Sequence, residues 1–334
     1  MADFARKLVQ WQRRHGRHGL PWQGTRDPYR IWLSEIMLQQ TQVAAVIPYY
    51  ERFLARFPDM AALAAASEDE VLRLWSGLGY YARGRNLLRA ARQIVSDRKF
   101  PDTSDAIQAL PGVGPSTAAA IAAFAFGRRA AILDGNVKRV LARRFGVEGD
   151  KAQWKLAQEL LPARGIETYT QALMDLGATL CTRTKPACGR CPVAEDCVAL
   201  REDRIAQLPA PRKRKPLPTR RATWLVLLHR DSVLLERRPG SGIWGGLWAF
   251  PELDSSTAKA FCSTVLGCEV ERPQRMPALE HGFTHFLLKV RPIRCDVRRI
   301  LPRAQAPGRL WLNTREAAQA AVPTPVRKLL LGLA

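Results

Sequence analysis

The sequence predicts a multidomain fold, an all-α domain followed by an α+β domain. Three observations predict it. At 334 residues the chain exceeds one ordinary domain and suits two, each able to bury its own core. Up to about residue 200 the pattern is helical, with repeated start signals and little alternation. After a proline-rich basic stretch, short β-branched and apolar runs separated by turn residues take over.

The elements follow in order. Phe4, Leu8, Val9 and Trp11, set among Arg and Lys, read as the first helix, which ends before Leu20-Pro21-Trp22. Asp27-Pro28 is an N-cap followed by proline in the first helical turn. The helix it opens has one apolar stripe of Tyr29, Trp32, Leu33, Ile36 and Met37, spaced i, i+3, i+4, i+7, i+8. Glu35 points off that stripe and shares a face with Ile31 and Leu38, a setting that disfavours ionisation. Ser67-Glu68-Asp69-Glu70 is a capping box. Leu110 to Thr117, with Gly112 and Gly114 two apart, makes a tight hairpin before the Ala-rich helix Ala118 to Phe126. Either this is a packing corner between helices, or the second helix aims its free N–H groups at a phosphate. Residues 208–222 hold four prolines and a basic run and read as a stiff exposed linker between domains 1–207 and 223–334. Beyond it, Trp224 to Leu228, Val233 to Leu235 and Phe286 to Val290 read as strands.

Lys plus Arg total 52 against 30 Asp plus Glu, a net charge of +22, which favours a polyanionic partner, above all nucleic acid. No stretch approaches the roughly 18 apolar residues of a membrane span, and the N-terminal segment lacks an apolar signal core, so the expected location is intracellular and cytoplasmic, with the nucleoid, and without a membrane partner. Of seven cysteines, Cys181, Cys188, Cys191 and Cys197 crowd together, while Cys262, Cys268 and Cys295 are scattered. By chemistry alone four thiolates suit tetrahedral zinc or an iron–sulfur cluster equally well.

The hairpin and the following Ile132-Leu133-Asp134-Gly135-Asn136-Val137 resemble the helix-hairpin-helix glycosylase superfamily, whose essential aspartate lies 18 residues after the position of Ser116. Arg30 to Val43, with Leu38-Gln39-Gln40-Thr41-Gln42, resembles the adenine glycosylases of the MutY type, and that resemblance spans nearly the whole chain. It implies that Glu35 protonates an extruded adenine, that Asp134 stabilises the cationic sugar or captures it covalently before water attacks, and that Ser116 and Asn136 line that sugar. Bifunctional members carry lysine where this chain has Ser116; a hydroxyl forms no Schiff base, so the expectation is base removal without strand cleavage. Tyr80, in Gly77-Leu78-Gly79-Tyr80-Tyr81, is expected to wedge beside oxidised guanine, with Gln40 and Thr41 filling the vacated space. The spacing Cys181-x6-Cys188-x2-Cys191-x5-Cys197 matches that of the endonuclease III and MutY glycosylases and implies a [4Fe-4S] cluster.

The second domain resembles the Nudix-like recognition module of that family. Gly242 to Pro251 matches a family landmark, but the stretch after Glu252 lacks the acidic pairs that hold magnesium, which implies binding without hydrolysis. Phe283, Thr284 and His285 fit the loop that contacts 8-oxoguanine, with threonine where serine is commoner. The resemblance therefore implies a monomeric, monofunctional enzyme acting on duplex DNA with an A:8-oxoG or A:G mismatch. Two rivals are an endonuclease III-like glycosylase and AP lyase, opposed by Ser116, and a non-catalytic iron–sulfur damage-binding protein, opposed by the presence of both acids.

Overall fold

The computed structural model describes residues 2–210, 216–254 and 256–333. Pro211 to Lys215 of the expected linker lie outside the described residues. The chain divides into two compact units, one of Met1–Ala65 with Asn86–Lys213 and one of Ala66–Arg85 with Arg214–Ala334.

The first unit is helical. It contains α1 (Ala2–His15), α2 (Pro28–Leu38), α3 (Val43–Arg56), α4 (Met60–Ala65), most of α6 (Ala82–Ser96), α7 (Ser104–Gln108), α8 (Pro115–Phe126), α9 (Gly135–Phe145), α10 (Asp150–Glu159), α11 (Ile166–Asp175) and α12 (Val198–Arg201), while α5 (Glu68–Trp75) falls in the second unit. Asp27 caps α2 by accepting a hydrogen bond from the Tyr29 N–H, and the Ser67–Glu70 capping box closes reciprocally at the start of α5. The predicted stripe of α2 is the buried one, with Trp32, Leu33 and Met37 wholly inaccessible. Each such side chain contributes about 2 kcal/mol through its removal from water. Helix α8 is apolar all round, its Ala118 to Ala123 buried, as befits a central helix. Its small side chains let α2, α7 and α11 pack closely around it.

In the second unit the sheet order is β3-β2-β1-β7-β4, with β5 and β6 also paired to β7 and β8 paired to β2. Its strands are β1 (Thr219–His229), β2 (Ser232–Arg237), β3 (Trp248–Ala249), β4 (Cys268–Val270), β5 (Gln274–Arg275), β6 (Leu279–Gly282), β7 (Leu287–Ile300) and β8 (Arg309–Asn313). The centre is a parallel ladder in which Thr219 to Leu228 match Leu287 to Asp296. Strand β1 therefore starts inside the stretch whose composition reads as linker: Thr219 to Ala222 are held by register with β7. Helices α13 (Ala258–Phe261), α14 (Thr314–Gln319) and α15 (Thr324–Leu331) complete the unit. Leu225, Leu227, Cys262, Cys268 and Cys295 share one core cluster.

Candidate active site, cluster loop and recognition loop

Glu35 is delivered by α2 to a cavity of about 640 Å³ in the helical unit, walled also by Trp22, Ile31, Leu38, Glu167 and Gln171. That volume lies within the range of small-molecule sites. The side chain borders the cavity, yet protein atoms crowd the carboxyl; burial pushes it up to about 8, and the nearby negative charge of Asp134 adds to the rise. The two acids, 99 residues apart in sequence, are thus brought within electrostatic reach of one another.

Asp134 is the N-cap of α9. Its Oδ1 accepts hydrogen bonds from the Asn136 N–H at 2.9 Å and the Val137 N–H at 2.8 Å, which orients the carboxylate at a helix N-terminus. Ser116, in the first turn of α8, accepts from the Leu133 N–H at 3.0 Å and so ties the hairpin helix to the residue before Asp134. The Asn136 amide oxygen accepts from Arg139 Nη2 at 2.9 Å. A Cβ on Gly177 would lie 2.7 Å from that of Asn136, so the close approach of the two segments requires glycine. Asp134, Ser116 and Asn136 are not among the residues that wall the cavity.

At the hairpin, Gly112 has φ +78° and a Cβ there would meet Asn86 at 2.6 Å; Gly114 is the N-cap of α8 and has open space beside it. The Gly112 carbonyl accepts from Gln39 Nε2 at 3.3 Å, which links the hairpin to the chain just before Gln40 and Thr41. Gln40 is exposed in a left-handed conformation at φ 56°, and the Thr41 hydroxyl donates to the Gln39 carbonyl at 3.3 Å.

Sequence reasoning missed Glu167, Gln171 and the segment around Arg17. Glu167 accepts from Arg26 Nη2 at 3.0 Å on the cavity wall. Asp175, fully buried, accepts from Arg17 Nε at 2.6 Å, the Arg17 N–H at 2.8 Å and Gln171 Nε2 at 2.8 Å, pinning the chain that carries Trp22. Glu167, Gln171 and Asp175 lie at i, i+4 and i+8 along one face of α11, but nothing local in the sequence links that face to Arg17 and Trp22 at the other end of the unit.

The four clustered cysteines line one small pocket together with Leu180, Pro186, Leu200 and Ile205. Among the described residues no three His, Cys, Asp or Glu side chains converge as ligands of a single metal ion; the sulfurs ring an apolar hollow instead. That arrangement and an all-thiolate donor set fit an iron–sulfur cluster. Arg143, 4% exposed, braces the loop by donating to the carbonyls of Thr182 at 2.6 Å, Arg183 at 2.9 Å and Leu208 at 2.9 Å.

In the second unit Tyr80 stands 45% exposed at φ 50°, after Gly77 and Gly79, both with positive φ. Its hydroxyl lies 3.1 Å from Thr284 Oγ1, within hydrogen-bond distance. Phe283 stacks on Phe286 with centroids 4.3 Å apart, and Trp244 and His281 flank Phe283 at 5.4 and 4.8 Å. His285 meets the edge of Phe286 at 4.8 Å. The loop is therefore braced by aromatic packing on each side of the threonine.

Residues 33–163 match the family described as HhH-GPD superfamily base excision DNA repair protein, 181–197 the iron-sulfur binding domain of endonuclease III, and 223–332 the NUDIX domain. The adenine DNA glycosylase of Buchnera aphidicola subsp. Baizongia pistaciae is 33% identical over 98% of this chain and 95% of its own. The chain belongs to the adenine DNA glycosylase family. The mouse adenine DNA glycosylase is 34% identical to this glycosylase over 98% of the chain and 77% of its own. A solved thermostable thymine-DNA glycosylase covers 60% of this chain and 96% of its own, with a TM-score of 0.56 and 31% identity. The glycosylase is accordingly a base excision repair enzyme with a helix-hairpin-helix domain, a [4Fe-4S] cluster domain over residues 181–197, and a Nudix-like domain. Among the described residues no helix is long and apolar enough to cross a membrane.

The raised Glu35 carboxyl has a consequence for stability. Its folded pKa, about 8, lies above the ordinary 4.5, so the fold favours the protonated form. The stabilisation is complete below pH about 4.5 and is lost as pH rises through about 8. Glu35→Gln, neutral throughout, is expected to melt several degrees above the parent at pH 9 and level with it near pH 4.5, read by thermal unfolding at both pH values.

Proposed function

We propose that the glycosylase hydrolyses the N-glycosidic bond of adenine paired with 8-oxoguanine or guanine in duplex DNA and leaves an abasic site. The observation that carries this reading is a carboxyl held protonated at neutral pH beside the 640 Å³ cavity and within reach of a second, backbone-oriented carboxylate. Adenine leaves poorly as an anion. Glu35 gives its proton to a ring nitrogen of the extruded base, which departs neutral, while Asp134 stabilises the positive charge that develops on the sugar, and water then completes hydrolysis. The division of labour between a proton-donating and a charge-stabilising carboxyl is that of paired acids in glycoside hydrolysis. Ser116, bonded to the Leu133 N–H, and Asn136, bonded to Arg139, hold the Asp134 segment in place beside the reacting sugar.

The absence of an amine at position 116 makes the enzyme monofunctional. Gly112 and Gly114 bring the α8 N-terminus to a phosphate, Gln40 and Thr41 occupy the space left by the flipped nucleotide, and Tyr80 wedges beside the oxidised guanine. The protein works as a monomer on nucleoid DNA in the cytoplasm. Its domains are residues 1–207 for chemistry and 223–334 for reading the base opposite, joined by 208–222, with the cluster holding a basic loop toward phosphate.

The test is a duplex with adenine opposite 8-oxoguanine incubated with the protein. Alkali-labile breaks in the adenine strand are expected, with none before alkali treatment; breaks without alkali identify a lyase. In the same assay Thr284→Ala is expected to lower the preference for 8-oxoguanine over guanine roughly tenfold, the cost of one lost hydrogen bond. An unchanged ratio removes Thr284 from recognition.

A further inference from the structure

Gly77, Gly79 and Tyr80 all have positive φ, and the turn is closed locally by Trp75 Nε1 and Arg83 Nη2, which donate to the Gly79 carbonyl at 3.1 and 3.2 Å, with the Arg83 guanidinium 5.4 Å from the centre of the Tyr80 ring. What ties the closed turn to the C-terminal module lies just before it. Ser76, 5% exposed, donates through its hydroxyl to the Val322 carbonyl at 2.6 Å. The same oxygen accepts from Arg327 Nη2 at 3.0 Å. Arg327, on α15, also donates to the Ala318 carbonyl at 2.9 Å and the Ala320 carbonyl at 3.4 Å, at the C-terminal end of α14, where a cation is favoured. A hydroxyl that gives and receives at once has its rotamer set, and its backbone with it. Further back along the same segment Arg237 pairs with Asp69 at 3.2 Å and Glu68 at 3.6 Å, and beyond the turn Arg85 donates to the Gly245 carbonyl. Residues 66–85 thereby belong to the same compact unit as the Thr284 loop, although they are remote from it in sequence.

We infer that Arg327 and Ser76 are positioning residues for base discrimination: they clasp the Tyr80 turn to the C-terminal module so that the Tyr80 hydroxyl meets Thr284. The inference rests on the reading of Tyr80 and Thr284 as the residues at the oxidised base. Neither clasp residue carries any chemistry. The clasp sets where the wedge stands, and the coupling between wedge and reader depends on it.

The experiment measures single-turnover excision of adenine opposite 8-oxoguanine and opposite guanine, and takes the ratio of rates. Tyr80→Phe, Thr284→Ala and their double variant are made in the parent and in R327M. In the parent, each single variant lowers the ratio, and the double lowers it little further, because both remove one shared hydrogen bond. R327M alone lowers the ratio roughly tenfold, and adding Tyr80→Phe to it changes nothing more. Arg327→Lys, which keeps a donor toward Ser76, restores part of the ratio. Should R327M fail to fold, Ser76→Ala removes only the hydroxyl and is expected to lower the ratio in the same direction. If Tyr80→Phe lowers the ratio while the clasp variants leave it unchanged, the clasp is overturned and the recognition reading stands. If neither Tyr80→Phe nor Thr284→Ala moves the ratio, the recognition reading falls and the clasp with it.

Discussion

Glu35→Gln and Asp134→Asn are each expected to lose excision by about a thousandfold while duplex binding persists. In the proposed mechanism glutamine cannot deliver the proton that makes adenine a neutral leaving group. Asparagine keeps the size of Asp134 and can still accept from the Asn136 and Val137 N–H groups, but it brings no charge to a cationic sugar. The parent's rate is expected to hold level across neutral pH and to fall about tenfold per unit above pH about 8, as Glu35 ionises. Single-turnover excision from pH 6 to 10, with binding measured in parallel by fluorescence anisotropy, checks both statements. Loss of binding together with excision, or a rate unchanged through pH 10, would remove Glu35 from the role of acid.

Arg143→Ala is expected to destabilise the helical unit by about 4 kcal/mol, a fall of about 10 °C in Tm, because it leaves three loop carbonyls without their charged donor. The same guanidinium lies 3.6 Å from Cys181 Sγ, so its loss also frees the first cysteine of the cluster loop. Iron per protein is therefore expected to fall with Tm. Arg143→Lys, with one donor group in place of a fork, recovers part of each. An unaltered iron content in a variant of lowered Tm separates the brace from the cluster.

How much was legible beforehand differs by element. The α2 stripe, the Asp27 cap and the Ser67–Glu70 box were readable because each is local: a period of 3.6, a side chain two or three residues from its N–H. The cysteine spacing was readable for the same reason, once set beside the resemblance that distinguished iron from zinc. The start of β1 was not, since Thr219 to Ala222 are strand only by pairing with residues nearly 70 positions later, and composition there speaks for a linker. Glu167 and Asp175 were not singled out, because a carboxylate on an ordinary helix looks the same whether it faces water or a cavity.

What the sequence determined by itself was the set of local elements, the acids and thiols available for chemistry, and the excess of positive charge that suits a polyanion. Only the tertiary structure decided which of them meet: Glu35 beside Asp134, Ser116 on the Leu133 N–H, and residues 66–85 in the unit of Thr284 rather than in that of their chain neighbours. The physical reason is that helix periods and caps are set over three or four residues, whereas burial, dielectric environment and long-range hydrogen bonds arise only when distant segments pack.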